Sequence, residues 1–185
     1  MVNELTILRP FLTRPEESLH LAELSRLTKI PHPTARLHLA ALERKGIVQK
    51  SHKGRLTLYA LSKTNPLLAD YLTLAEKRVF IEKCEANPVF CQMISELKSI
   101  FSGTCLIVFG SASQSFKKSS DIDLLVIGKM NTDNARKIGE RYNKPAHLVI
   151  AKLEDITVGM KLEILRKHLI VEATSDVLRW LYWQA

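Results

Sequence analysis

Two carboxylates flanking one apolar residue, Asp121-Ile122-Asp123, stand at the head of the apolar run Leu124 to Ile127. On a β-strand, residues i and i+2 project from the same face, so the two side chains would point together. Like charges placed this way repel unless a cation sits between them. Oxygen ligands of this kind suit Mg²⁺ carrying the phosphates of a nucleotide. Upstream, the apolar run Cys105 to Phe109 ends in Gly110-Ser111. Gly110 allows close backbone approach to an anion, and Ser111 adds a hydroxyl donor beside it. One short segment therefore joins metal-binding to phosphate-binding chemistry. The plain alternative is a surface Asp-x-Asp at a strand start.

An apolar strand, Gly-Ser, a polar loop, then Ser120-Asp121-Ile122-Asp123 and a second apolar strand resemble the nucleotidyltransferase superfamily that includes DNA polymerase β. The resemblance is closest to its small minimal nucleotidyltransferases. The loop here, Ala112 to Ser120, is one residue shorter than the commonest form, and Ser113-Gln114-Ser115 stands where a basic residue and a glycine are frequent. The resemblance implies in-line attack of a hydroxyl on the α-phosphate of a nucleoside triphosphate, with release of pyrophosphate. It also implies two Mg²⁺ ions roughly 4 Å apart on the entering and leaving oxygens. Asp121 and Asp123 would bind them, and Gly110 and Ser111 would hold the terminal phosphates. Lys117 or Lys118 could neutralise charge, or could simply belong to a solvated loop.

Such domains usually supply a third carboxylate from the next strand, where this chain has Pro145-Ala146-His147-Leu148-Val149-Ile150. The aligned position is His147. Neutral imidazole is a poor ligand for Mg²⁺ but a fair one for Mn²⁺, Zn²⁺ or Fe²⁺, and it is a competent general base near neutral pH. His147 could replace the acid, or mark a site that binds nucleotide without turning it over. Glu140, Glu154 and Asp155 are near in sequence but out of strand register.

The elements that must position these residues alternate between helix and strand. A helix from Pro88 to Phe101 has Val89, Met93, Leu97 and Ile100 on one face. After the two strands come a polar helix from Thr132 to Tyr142, the strand His147 to Ile150 and a helix from Glu154 to Lys167. His168 to Val171 reads as an edge strand, and Ser175 can cap a last helix to Trp183. This is an α+β pattern, a small mixed sheet backed by helices. The apolar end around Leu178, Trp180, Leu181, Tyr182 and Trp183 is expected to be core or a docking edge.

The first half has a different organisation. Leu5, Leu8 and Leu12 mark a helix shortened or kinked by Pro10, and Leu21, Leu24 and Leu27 mark a second. Pro33 suits the first turn of a third helix that Gly46 stops, with Ala35, Leu39 and Leu42 on its core stripe. Ile47 to Lys50 and Arg55 to Tyr59 would be strands around the turn Ser51-His52-Lys53-Gly54. The set resembles a winged helix, similar to small prokaryotic transcription regulators.

The outward centre of the third helix, Leu37, Ala40, Ala41 and Arg44, offers little hydrogen bonding to base edges. Thr34, Arg36 and His38 on its flanks are better placed for that, and Lys50, His52, Lys53 and Arg55 in the wing can hold phosphates. On this reading Thr34, Arg36, His38, Arg44, Lys50, His52, Lys53 and Arg55 bind DNA; the other reading is a protein-docking or dimerisation module.

Charge favours an anionic partner. The formal net charge is +8, and Arg26 to Arg55 alone holds eight basic residues against one acid, Glu43. The three cysteines lack metal-ligand spacing and read as reduced thiols of a cytoplasmic protein. No run is long enough to span a membrane, and the start lacks a signal-peptide pattern.

The expected organisation is a winged helix-turn-helix domain over 1–64, a connecting helix over 65–86 and a nucleotidyltransferase-like domain over 87–185. Leu68, Leu72, Ala75 and Val79 on the connector could pair two subunits in a homodimer or pack on their own domain. Two functions follow. One is an enzyme that moves a nucleotide, AMP in the first instance, onto a hydroxyl of a protein or small molecule, as antitoxins of the minimal class do to a partner toxin. The other is a winged-helix regulator whose second domain senses a nucleotide without catalysis.

Overall fold

The computed structural model describes residues 4–116 and 121–183. The chain divides into two compact units, Met1–Glu76 and Lys77–Ala185.

The first unit begins with α1 (Glu4–Thr13), β1 (Leu19–His20), α2 (Leu21–Thr28) and α3 (His32–Arg44), followed by β2 (Val48–Lys53) and β3 (Leu56–Leu61). Helix α1 continues through Pro10, which is buried inside it, rather than ending there. Pro33 lies in the first turn of α3, where its missing donor costs no helical bond. Gly46 then turns the chain at φ +67°, and Ala35, Leu39 and Leu42 are buried as the stripe requires.

The strands form an antiparallel sheet in the order β1-β3-β2. Two residues suffice for β1, where Leu19 pairs with Tyr59, too short a run to show periodicity. The wing is also longer than expected. Ser51, His52 and Lys53 stay in strand register with Leu58, Thr57 and Leu56, so the turn tightens to Gly54-Arg55, with Gly54 at φ +60°. These strand residues look like a turn in sequence because both faces of the tip are exposed and polar.

Helix α4 (Leu68–Ala86) spans the division between the units, so the segment expected as a separate connector contributes to both. It opens at Leu68 rather than at the expected residue 65. The Asn65 side chain accepts the Leu67 N–H at 2.8 Å and forms a turn ahead of the helix. Leu68, Leu72 and Ala75 are buried within the single chain, so that part of the stripe is already covered without a second subunit.

The second unit continues with α5 (Pro88–Ile100), β4 (Phe101–Phe109), α6 (Ser111–Gln114), β5 (Ile122–Met130), α7 (Thr132–Arg141), β6 (Ala146–Ala151), α8 (Val158–Arg166), β7 (His168–Glu172) and α9 (Thr174–Trp183). The sheet order is β6-β5-β4-β7, with β5 and β6 parallel and the other pairs antiparallel. Strand β7 is the expected edge.

Alternate residues of the sheet, Leu106, Val108, Ile122, Leu124, Val126, Leu169 and Val171, form one core. They pack with Phe90, Met93 and Leu97 of α5 and Ala135 and Ile138 of α7, and Val79 and Phe80 of α4 lie against them. Residues of opposite parity, Asp123 among them, project from the other face.

Three local readings differ from the sequence expectation. Strand β4 starts directly after α5, because Gly103 and Gly128 approach so closely that a Cβ on Gly103 would stand 2.6 Å from the Gly128 Cα. Glu154 and Asp155 lie in a 3-10 turn (Leu153–Asp155), and α8 begins after Thr157, whose Oγ1 accepts the Met160 N–H. Helix α9 opens at Thr174, so Ser175 lies inside it rather than at its cap. Leu178, Trp180 and Leu181 are buried and Trp183 is exposed. Cys84, Cys91 and Cys105 are free thiols. Burial pushes Cys105 up to about 11 and Cys84 up to about 12.

Candidate functional site

Strand β4 delivers Gly110 and Ser111 to the sheet end where β5 begins, since Phe109 pairs with Asp123. On the other side of β5, Asp123 pairs with His147 in the parallel register. The two strands thus place Gly110, Asp121, Asp123 and His147 together. His147 Nδ1 lies 3.4 Å from Asp123 Oδ1, and its Nε2 lies 3.9 Å from Asp121 Oδ2. Side-chain exposures of 50%, 30% and 63% for Asp121, Asp123 and His147 leave all three open to a ligand.

Gly110 adopts φ +67° and ψ −150°, a combination essentially confined to glycine. Its N–H donates to the Lys167 carbonyl at 3.1 Å. Its own carbonyl accepts from the buried Ser113 hydroxyl at 2.7 Å. Those bonds fix the turn and leave Ser111, which is exposed, as the member of the pair presented outward.

The turn is held from behind by a residue that no sequence motif marks. Lys83 of α4 donates from Nζ to the Ala112 and Ser113 carbonyls, each at 2.7 Å, and lies 5.2 Å from the Phe90 ring centroid. Burial drives its pKa down to about 8. A lysine some thirty residues upstream of the motif carries no local signal of this role; only tertiary structure brings it there. Ser113 was visible in sequence only as a departure from the usual pattern.

Phe116 lies edge-on to Phe90 at 5.1 Å and 4.5 Å beneath the Lys144 ammonium. Lys117 and Lys118 lie outside the described residues. Glu154 and Asp155 follow the far end of β6, away from the end that carries His147, so neither takes the place of the third carboxylate.

Among the described residues, no three His, Cys, Asp or Glu side chains stand converged as a metal cluster. The chemistry of the gathered donors nonetheless fits a divalent cation. Two carboxylates with one imidazole suit Mn²⁺, Fe²⁺ or Zn²⁺ better than Mg²⁺, which prefers an all-oxygen shell.

The residues expected to meet DNA occupy α3 and the wing. Arg36, Arg44, Lys50, His52, Lys53 and Arg55 are exposed, and Thr34 is half-buried. His38 is half-buried, with its Nε2 closed off from solvent, and so turns away from a ligand on the outer face. Lys45, in the same basic stretch, is paired with Glu4 and lies 5.5 Å from the Tyr71 ring centroid. The Glu4 carboxylate raises its pKa. The face that remains is cationic and suited to phosphates. No helix among the described residues is long and apolar enough to cross a membrane.

Residues 3–52 match the IclR helix-turn-helix domain, and residues 90–176 match the nucleotidyltransferase domain. No curated protein matches the chain. A solved structure of TrmBL2, described as an archaeal chromatin protein with a novel mode of DNA binding, is 16% identical over 83% of this chain and 66% of that one. Its TM-score is 0.28. The chain carries an IclR-type helix-turn-helix domain, a DNA-binding module, followed by a nucleotidyltransferase domain with a mixed sheet.

Proposed function

We propose that this DNA-binding protein transfers a nucleoside monophosphate, AMP in the first instance, from a nucleoside triphosphate to a hydroxyl group of a protein or small molecule. The observation that carries the reading is the meeting of Asp121, Asp123 and His147 beside the Gly110-Ser111 turn, at distances of 3.4 and 3.9 Å between the imidazole and the two carboxylates.

Ser111 and the backbone beside it bind the terminal phosphates. Asp121, Asp123 and His147 would hold a divalent cation, which would supply charge neutralisation for the phosphates and the leaving pyrophosphate. One of the carboxylates, or His147 in a site where it is not a ligand, accepts the proton of the attacking hydroxyl. The hydroxyl oxygen forms the new bond to the α-phosphorus as the bond to pyrophosphate breaks. Attached to a helix-turn-helix domain, this chemistry suits a regulator acting on DNA inside the cell. An antitoxin that modifies a partner protein would be one such case.

The imidazole in place of a third carboxylate favours a second reading, a domain that binds nucleotide and does not turn it over. One experiment separates them. Label from α-³²P-ATP is followed into a lysate, with Mg²⁺ or Mn²⁺, using Asp123→Asn as control. Label on an acceptor that requires Asp123 supports transfer. Metal-dependent ATP binding without label supports the sensor, and neither binding nor label removes both.

A further inference from the structure

The middle of the exposed face of α3, at Leu37 and Ala40, is apolar where a base-reading helix would be expected to carry hydrogen-bonding groups. Ala35, Leu39 and Leu42 are fully buried, and a residue half a turn away faces outward. That outer line holds Leu37, which is 71% exposed, with Ala40 and then Arg44, both exposed, while Ala41 is half-buried beside them. Leu37 is the most exposed large apolar residue of the unit. Isolated surface leucines need no explanation, but this one shares the exposed face of α3 with two arginines. Arg36 and Arg44 flank it on the helix, and Lys50 and Lys53 stand exposed on the wing.

Whatever covers Leu37 must be anionic at its edges and apolar at its centre. Duplex DNA meets both demands. Phosphates line the major groove, and each thymine presents its C5 methyl on the groove floor, where alanine and other apolar side chains make contact. Leu37, Ala40 and Ala41 offer only carbon, so these three positions have no donor or acceptor to read guanine or adenine.

We propose that α3 selects DNA by packing Leu37 and Ala40 against thymine methyl groups in the major groove, while Arg36, Arg44 and the wing hold the phosphates. The proposal rests on the reading that the helix-turn-helix domain binds duplex DNA, and it adds the class of sequence selected: sites with thymines facing α3.

Duplexes of random central sequence are selected on the full-length protein, then remade with uracil in place of thymine. That exchange removes the methyl and leaves the base-pair hydrogen bonds. Recovered sites are expected to be rich in thymine and to weaken about four-fold for each contacted methyl withdrawn. Leu37→Ala, at an exposed position that the fold does not depend on, should lose most of that discrimination. Lys53→Ala should weaken thymine and uracil duplexes equally. Recovered duplexes that bind as well with uracil overturn the methyl reading and leave the domain a DNA binder. Recovery of no duplex overturns the DNA reading beneath it and turns Leu37 towards an acidic protein surface.

Discussion

A Cβ placed on Gly110 would stand 2.5 Å from Oδ2 of Asp123. The glycine is therefore required twice, by its φ of +67° and by the carboxylate lying over it. Gly110→Ala should cost about 1–3 kcal/mol through the backbone alone, readable as a lower urea midpoint. The carboxylate is the flexible end of a side chain and would yield, so the larger effect should fall on the ligand. Metal-dependent ATP binding should drop further than stability does. A variant that is destabilised but binds ATP normally would show that Asp123 is not the group the ligand uses.

His147 faces both carboxylates from the neighbouring parallel strand. If it takes the third ligand position, His147→Asp should shift metal preference towards Mg²⁺, because it restores an all-oxygen shell. The measurement is the ratio of ATP affinity, or of label transfer, with Mg²⁺ to that with Mn²⁺. That ratio is expected to rise, even if the absolute affinity with Mn²⁺ falls. A fall in both metals with the ratio unchanged would assign the imidazole a role of its own, as base or as a direct contact to the nucleotide.

The site was legible in sequence to the extent that it was local. Asp121 and Asp123 share a face by the period of a strand, Gly110-Ser111 closes the preceding apolar run, and His147 heads the next one. Pairing of adjacent strands then brings these together with no further information. The Lys83 contact spans about thirty residues and joins a helix to carbonyls of another segment, so no periodicity announces it. The wing residues His52 and Lys53 look like turn in sequence because strand polarity at an exposed hairpin tip matches turn composition. The start of β4 carries no strand signal in sequence because a close glycine pair, not apolar alternation, lies at Ser102 to Thr104. In α4, the pattern could show an apolar stripe but not what covers it.

The wing should behave as a phosphate clamp. Lys53 is exposed at the tip beside Gly54, so Lys53→Ala should weaken duplex binding by similar factors on all sequences. It should also lower the slope of log affinity against log salt by about 0.9. Lys45 offers an internal contrast, since Glu4 and the Tyr71 ring already engage its ammonium. Lys45→Ala should leave the salt slope nearly unchanged. Equal slopes for the two variants, measured by fluorescence anisotropy across a salt series, would remove the wing from the phosphate contacts.

Lys83 ties the position of the Gly-Ser turn to pH. Its ammonium donates to the Ala112 and Ser113 carbonyls, yet burial lowers its folded pKa to about 8 from the ordinary 10.5. Below about pH 8 both folded and unfolded chains hold the proton, and the folded state carries the full burial penalty. Between about 8 and 10.5 the folded protein has released the proton while the unfolded chain retains it. The unfolded state then binds more protons, so this group makes stability rise with pH across that window. Lys83→Met removes the titration and both donors. The difference in urea midpoint between the native chain and Lys83→Met should therefore grow in favour of the native chain from pH 7.5 to pH 10. A difference that stays flat would mean the ammonium is solvated rather than buried. The same variant should bind ATP more weakly at every pH, because α6 loses the donors that hold it behind Ser111. Intact binding with the pH effect present would place Lys83 in the fold of the domain and outside the support of its phosphate turn.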